Sequence, residues 1–138
     1  MTKQFKYFLM ITLSGFSILG FSENAINQCW AESTDHPEVY TCLAKKVALQ
    51  QQILTNAYKK AQVSIENFAP ANPPLAKRLL TELATTQQNF ENYQKTQCQY
   101  VMNLADGGSG AGDMKAGCMI DLAKSQTLLL ENYMGASS

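Results

Sequence analysis

Apolar positions recur along this chain at steps of three and four, the repeat of one face of an α-helix, in three long stretches. In the first, Tyr40, Ala44, Val47, Gln51, Leu54, Tyr58, Ala61, Ile65 and Phe68 form a seam with a single polar break. The segment TDHPEVYTC opens it. Asp35 is placed to cap the helix, Glu38 stands three residues on as in a capping box, and Pro37 is tolerated in the first turn. The pattern predicts a helix from about Pro37 to Asn67. FAPANPPL ends it, because three prolines in five residues cannot continue a helix. Asn72 can cap the next helix, with Pro73 at its first position. Leu80, Leu83, Gln87, Phe90, Gln94, Gln97, Val101 and Leu104 make its seam, flanked by Tyr93 and Cys98, and it should end near Asn103. A third helix is expected from a cap at Asp113 to about Tyr133, with Cys118, Leu122, Ser125, Leu129 and Tyr133 on one side. No strand pattern competes. The expectation is an all-α antiparallel helical bundle of three main helices, since short loops favour antiparallel neighbours.

The N-terminus adds a compartment. Lys3 and Lys6 precede an uncharged apolar run from Phe8 to Phe21, which ends in small residues with Gly20 and Ser22 at suitable −3 and −1 positions. This reads as a secretory signal peptide over residues 1–22, too short to span a bilayer comfortably. One helical domain, 23–138, remains, with no second apolar run of spanning length. Without Lys3 and Lys6 the eleven basic side chains become nine, against eleven acidic ones, a balance of about −2. A nucleic-acid binder is usually basic, so that class is set aside.

All four cysteines, Cys29, Cys42, Cys98 and Cys118, lie in the mature part, and an even count in an exported chain implies two disulfides. No C-x-x-C pair supports a redox motif or haem attachment, and a single histidine argues against zinc. Residues equidistant from a hairpin turn sit at one height. Cys42 and Cys98 are centred on Pro70, in the first turn; Cys98 and Cys118 are centred on Gly108, in the glycine loop. These three cysteines should therefore gather at one end of the bundle, with the Cys29 segment folding back over it. Height does not fix facing, so all three pairings stay open, with Cys42–Cys118 and Cys29–Cys98 preferred.

LADGGSGAGD, residues 104–113, puts four glycines and a serine into six residues before the third helix. A phosphate cradle needs a strand before the glycines, and a P-loop also needs a lysine at the helix start. Here a helix precedes and no G-K-[ST] follows. The segment reads as a helix C-cap in which Gly107 or Gly108 takes positive φ, followed by a connector. It is also a protruding loop on a rigid scaffold, the usual place for binding residues.

Catalysis has little support. His36, the only histidine, precedes a proline at a helix start and reads as a surface residue. Any serine or cysteine triad would have to use it. Glu66, Glu82 and Glu91 fall on solvated helix faces. Trp30 covers the stapled end or serves as an exposed anchor. No catalytic residue, metal site or cofactor is expected.

An ordered series of residues resembles the LprI-like family of secreted helical lysozyme-inhibitor-like domains, over about Cys29 to Met134. It comprises the pair Cys29 and Cys42; LTNAY, ending at Tyr58; QQNFENYQKTQC, which places Gln87, Phe90, Tyr93 and Cys98; GGS at Gly107, Gly108 and Ser109; Cys118; and a final helix with Leu122, Leu129 and Tyr133. Departures are Thr55 for asparagine, Phe90 for tryptophan, Gln94 and Lys95 for an Arg-Asp pair, and Gln126 for arginine. The resemblance implies a periplasmic or secreted protein, not an enzyme, that binds and inhibits lysozyme. Asp106, Gly107, Gly108 and Ser109 are the candidate contacts. Two competing readings are an envelope structural or chaperone-like helical protein without lysozyme inhibition, and an unrecognised envelope enzyme.

Overall fold

The computed structural model describes residues 25–134; the signal-peptide reading falls outside them. Four helices follow one another: α1 (Ala25–Glu32), α2 (His36–Phe68), α3 (Pro73–Leu104) and α4 (Ala111–Met134). Among the described residues there is no strand. The all-α fold and the three long helices match the sequence reading. The short α1 is an addition, occupying the segment expected to fold back over the stapled end.

Local signals set the helix starts. Asp35 caps α2, its Oδ1 accepting from the Glu38 amide at 3.0 Å. Glu38 reaches back one residue beyond the cap, and its Oε2 accepts from both the amide (2.7 Å) and the hydroxyl (2.9 Å) of Thr34. Those bonds hold the Glu38 carboxyl below its ordinary pKa. Asn72 caps α3 through the Leu75 amide at 3.2 Å. Asp113 does not cap α4. The helix starts two residues earlier at Ala111, and Met114 N–H donates to the Gly110 carbonyl at 3.0 Å. Small glycine and alanine residues before Asp113 let the helical turn begin there, which frees the carboxylate for another partner.

Helix α4 lies between α2 and α3, packing on each more extensively than they pack on one another. At 1.5 Å per residue the 33 residues of α2 reach about 50 Å and the 24 of α4 about 36 Å. Because α4 starts at the glycine loop, it stops short of the α2–α3 turn. Beyond it only α2 and α3 run side by side, and Ala61, Ile65 and Ala76 are the buried side chains there.

The core has two centres. Ala25, Cys29, Val39, Leu43 and Ile120 form one at the stapled end. Leu54, Tyr58 and Ala123 form the other, with Leu83, Phe90 and Leu130 against it. Fully burying a side chain such as Leu43 contributes roughly 1.5–3 kcal/mol. The predicted seam of α2 is shifted at its start: Val39 and Leu43 are buried, while Tyr40 and Ala44 are exposed. Helix α1 covers this first part of α2 and selects the neighbouring phase. In α4 the interior face is Gly117, Ile120, Ala123 and Thr127, whereas Ser125, Leu129 and Tyr133 point outward. The consecutive leucines 128–130 fit more than one helical phase. Enclosure of α4 from two sides selects the one with small residues, which permit close approach.

The glutamines of the seam are used rather than tolerated. Gln51 Nε2 donates to Gln94 Oε1 at 2.9 Å, and Gln94 Nε2 donates to the Met119 carbonyl at 2.9 Å, joining α2, α3 and α4. Gln126 Nε2 donates to the Tyr58 hydroxyl at 3.0 Å. Two positions that depart from the family pattern, Gln94 and Gln126, thus tie helices together inside the bundle.

Candidate functional site at the stapled end

Both disulfides sit at one end, as the turn arithmetic required, but the pairing differs from the preferred one. Cys29 joins Cys42 and Cys98 joins Cys118, with Cα–Cα separations of 5.7 and 5.5 Å. Each bridge links consecutive elements. The short 33–35 turn folds α1 directly onto the start of α2, which brings Cys29 to Cys42. The glycine loop closes α3 onto α4, which leaves Cys98 facing Cys118. Facing, which height could not settle, was decided by these local hairpins. Among the described residues no cysteine is free.

The glycine loop stands on this base. Asp106 and Gly107 have positive φ, 46° and 74°. Aspartate is among the few residues that tolerate this region, and glycine enters it without a Cβ penalty. The Gly108 amide donates to the Ala105 carbonyl at 2.8 Å, and a Cβ on Gly108 would meet that oxygen at 3.1 Å. The Ala111 amide closes the loop on the Gly108 carbonyl at 2.9 Å. Asp106, Gly107, Gly108 and Ser109 are all exposed. The structure therefore brings the four candidate contacts together at the tip of one cross-linked hairpin.

Beneath the loop lies an arrangement that the sequence reading missed. His36 Nε2 is 3.2 Å from Asp113 Oδ2. A carboxylate only accepts, so Nε2 carries the proton and donates. Asp113 is buried, at 3% exposure, and its Oδ1 has no hydrogen-bond partner. The Trp30 ring stacks on the His36 ring, with centroids 5.7 Å apart and planes 28° from parallel. His36, its side chain 42% exposed, thus lies at the surface as expected but is held between an indole and a buried carboxylate. The turn arithmetic contained the signal. Reflecting position 36 through Pro70 and then Gly108 lands on position 112, beside Asp113.

The carboxylates weighed for catalysis do not converge. Glu82 lies 3.7 Å from Arg78, Glu66 accepts from Gln62 and Glu91 from Gln87, each one turn away on its own helix. Among the described residues no three His, Cys, Asp or Glu side chains are grouped to hold a metal ion, and no helix is long and apolar enough to cross a membrane.

Residues 23–130 match the family model described as lysozyme inhibitor LprI. No curated protein and no solved structure matches the chain. The match begins one residue after the expected signal peptide and takes in both disulfides, the glycine loop and most of α4. The chain belongs to the lysozyme inhibitor LprI family.

Proposed function

We propose that this is a secreted or periplasmic, non-enzymatic binding protein that inhibits a lysozyme, engaging it with the stapled end and the glycine loop foremost. The family match over residues 23–130 carries the reading. The loop adds to it. Four exposed residues sit on a hairpin whose stem is cross-linked at Cys98–Cys118, so little conformational freedom is lost when they dock. Lysozyme is basic and has a concave cleft with two carboxylates, a shape that a narrow protruding loop can occlude. The departures at Gln94 and Gln126 are engaged in hydrogen bonds between helices rather than in the glycine loop.

The test is inhibition of c-type, g-type and i-type lysozymes by the oxidised mature protein. Dose-dependent inhibition of one type is expected, and it should vanish when Gly107–Ser109 is replaced by a neutral linker of equal length. Inhibition of none of the three by folded protein overturns the reading. The envelope structural or chaperone-like alternative would then stand, with the groove of about 490 Å³ between α2 and α3, bordered by Leu80, Leu83, Tyr58 and Gln87, as its binding face.

A further inference from the structure

A depression of about 400 Å³ opens between α1, the start of α2 and the glycine loop, and its walls include Ile26, Trp30, His36, Ser109, Asp113 and Met114. Asp113 is the only carboxylate among the lining residues, and no lysine or arginine lines the depression. One of its carboxylate oxygens, Oδ2, accepts a hydrogen bond from His36 Nε2; the other, Oδ1, is buried and accepts nothing. Lys115 Nζ donates to Gln99 at 3.2 Å and Lys46 Nζ to Gln28 at 3.1 Å, both neutral partners. Among the described residues no lysine or arginine pairs with Asp113. Trp30 has one face on His36 and is 49% exposed.

We infer that this depression is the receptor for an arginine side chain of a basic protein partner. The inference rests on the proposed function for the identity of that partner, but not for the chemistry of the site. A buried carboxylate oxygen without a donor is costly, and a donor delivered to it recovers the loss. Aromatic faces attract cations, and a guanidinium does so while its planar edge donates to a carboxylate. The apolar Ile26 and Met114 suit the carbon stem of the same side chain. The glycine loop forms one rim through Ser109 and Gly110, so loop docking and arginine capture occur on one surface.

Trp30 is the only tryptophan in the chain, so its fluorescence reports the site without a label. Oxidised protein is titrated with N-acetyl-arginine amide and, separately, with the citrulline amide, which has nearly the same shape and no charge. Saturable binding of the arginine compound is expected, with Kd on the order of 1 mM and roughly tenfold tighter than citrulline. Asp113→Asn should abolish that difference. Equal responses to the two compounds overturn the inference, as does an unchanged preference in folded Asp113→Asn protein. If that variant does not fold, the comparison of the two compounds on the native protein decides alone. No lysozyme enters this titration. Arginine binding by a protein that inhibits no lysozyme keeps the site and overturns the proposed function. Inhibition without arginine binding does the reverse.

Discussion

The two ends of the bundle are held by different means. At the stapled end α1, α2 and α4 surround Val39, Leu43 and Ile120, two disulfides cross the helices, and the buried Asp113 side chain accepts a hydrogen bond from His36. At the far end two helices run on past α4, with alanines among the few buried side chains and an open groove alongside. Between them lies a polar tie of glutamines. Rigidity is thus concentrated where the exposed loop and the arginine receptor sit, and the distal hairpin extends from that base.

The largest effect on this contrast should come from the staples. Replacing Cys98 and Cys118 by serine should lower stability by about 3 kcal/mol in urea unfolding, the value for a closed loop of this order. Replacing Cys29 and Cys42 should act differently. An eight-residue helix is too short to persist alone, so amides of α1 should lose exchange protection while those around Leu54 and Tyr58 keep theirs. Equal loss of protection at both ends would break the comparison.

The polar tie comes next. Gln94→Leu leaves the Gln51 amide and the Met119 carbonyl without their partner, and should cost about 2 kcal/mol, read from the urea midpoint. Tyr58→Phe removes only the bond from Gln126, and about 1 kcal/mol is expected. Burial, with a smaller push from Glu91, raises the Tyr58 pKa above 10.0, and the Gln126 bond opposes the rise. The contribution of Tyr58 is therefore complete below pH 10.0 and is lost as pH climbs through the raised value. Phenylalanine should flatten that alkaline loss.

The smallest effect is at Glu38. Its pKa is lowered by the Thr34 amide, then by the Thr34 hydroxyl. Its contribution is present above pH 4.5, the unperturbed value, and fades as pH falls through the lowered one. Glu38→Gln should therefore lie closer to the native protein in acid than at neutral pH, measured by thermal unfolding across that range.

What the sequence disclosed follows a physical division. Caps and breakers act within a few residues, so Asp35, Asn72 and the prolines after Phe68 placed the start of α2, the turn and the start of α3 correctly. Height along the bundle follows from chain length, so the gathering of the cysteines was legible. Facing is a tertiary property. It escaped at the start of α2, where Val39 and Leu43 rather than Tyr40 and Ala44 are inside, along α4, and in the disulfide pairing. Asp113 escaped for a related reason: a carboxylate after a glycine run fits a helix cap by local rules, and only the distant His36 gives it another use. Of the candidate contacts, exposure and clustering are now on view at Asp106 to Ser109; their role rests with the inhibition test.

The pairing of neighbours also bears on how the protein acquires its bonds. Both bridges are local, with sequence separations of 13 and 20, and neither loop encloses a cysteine of the other. A chain emerging N-terminus first through a membrane presents Cys29 and Cys42 long before Cys98. An oxidant that joins thiols in order of appearance therefore makes the native bonds without later exchange, and short loops close fastest. In a chain exported in this way, cross-linking in order of appearance gives the native pairs and can precede the long-range docking of α2 against α4.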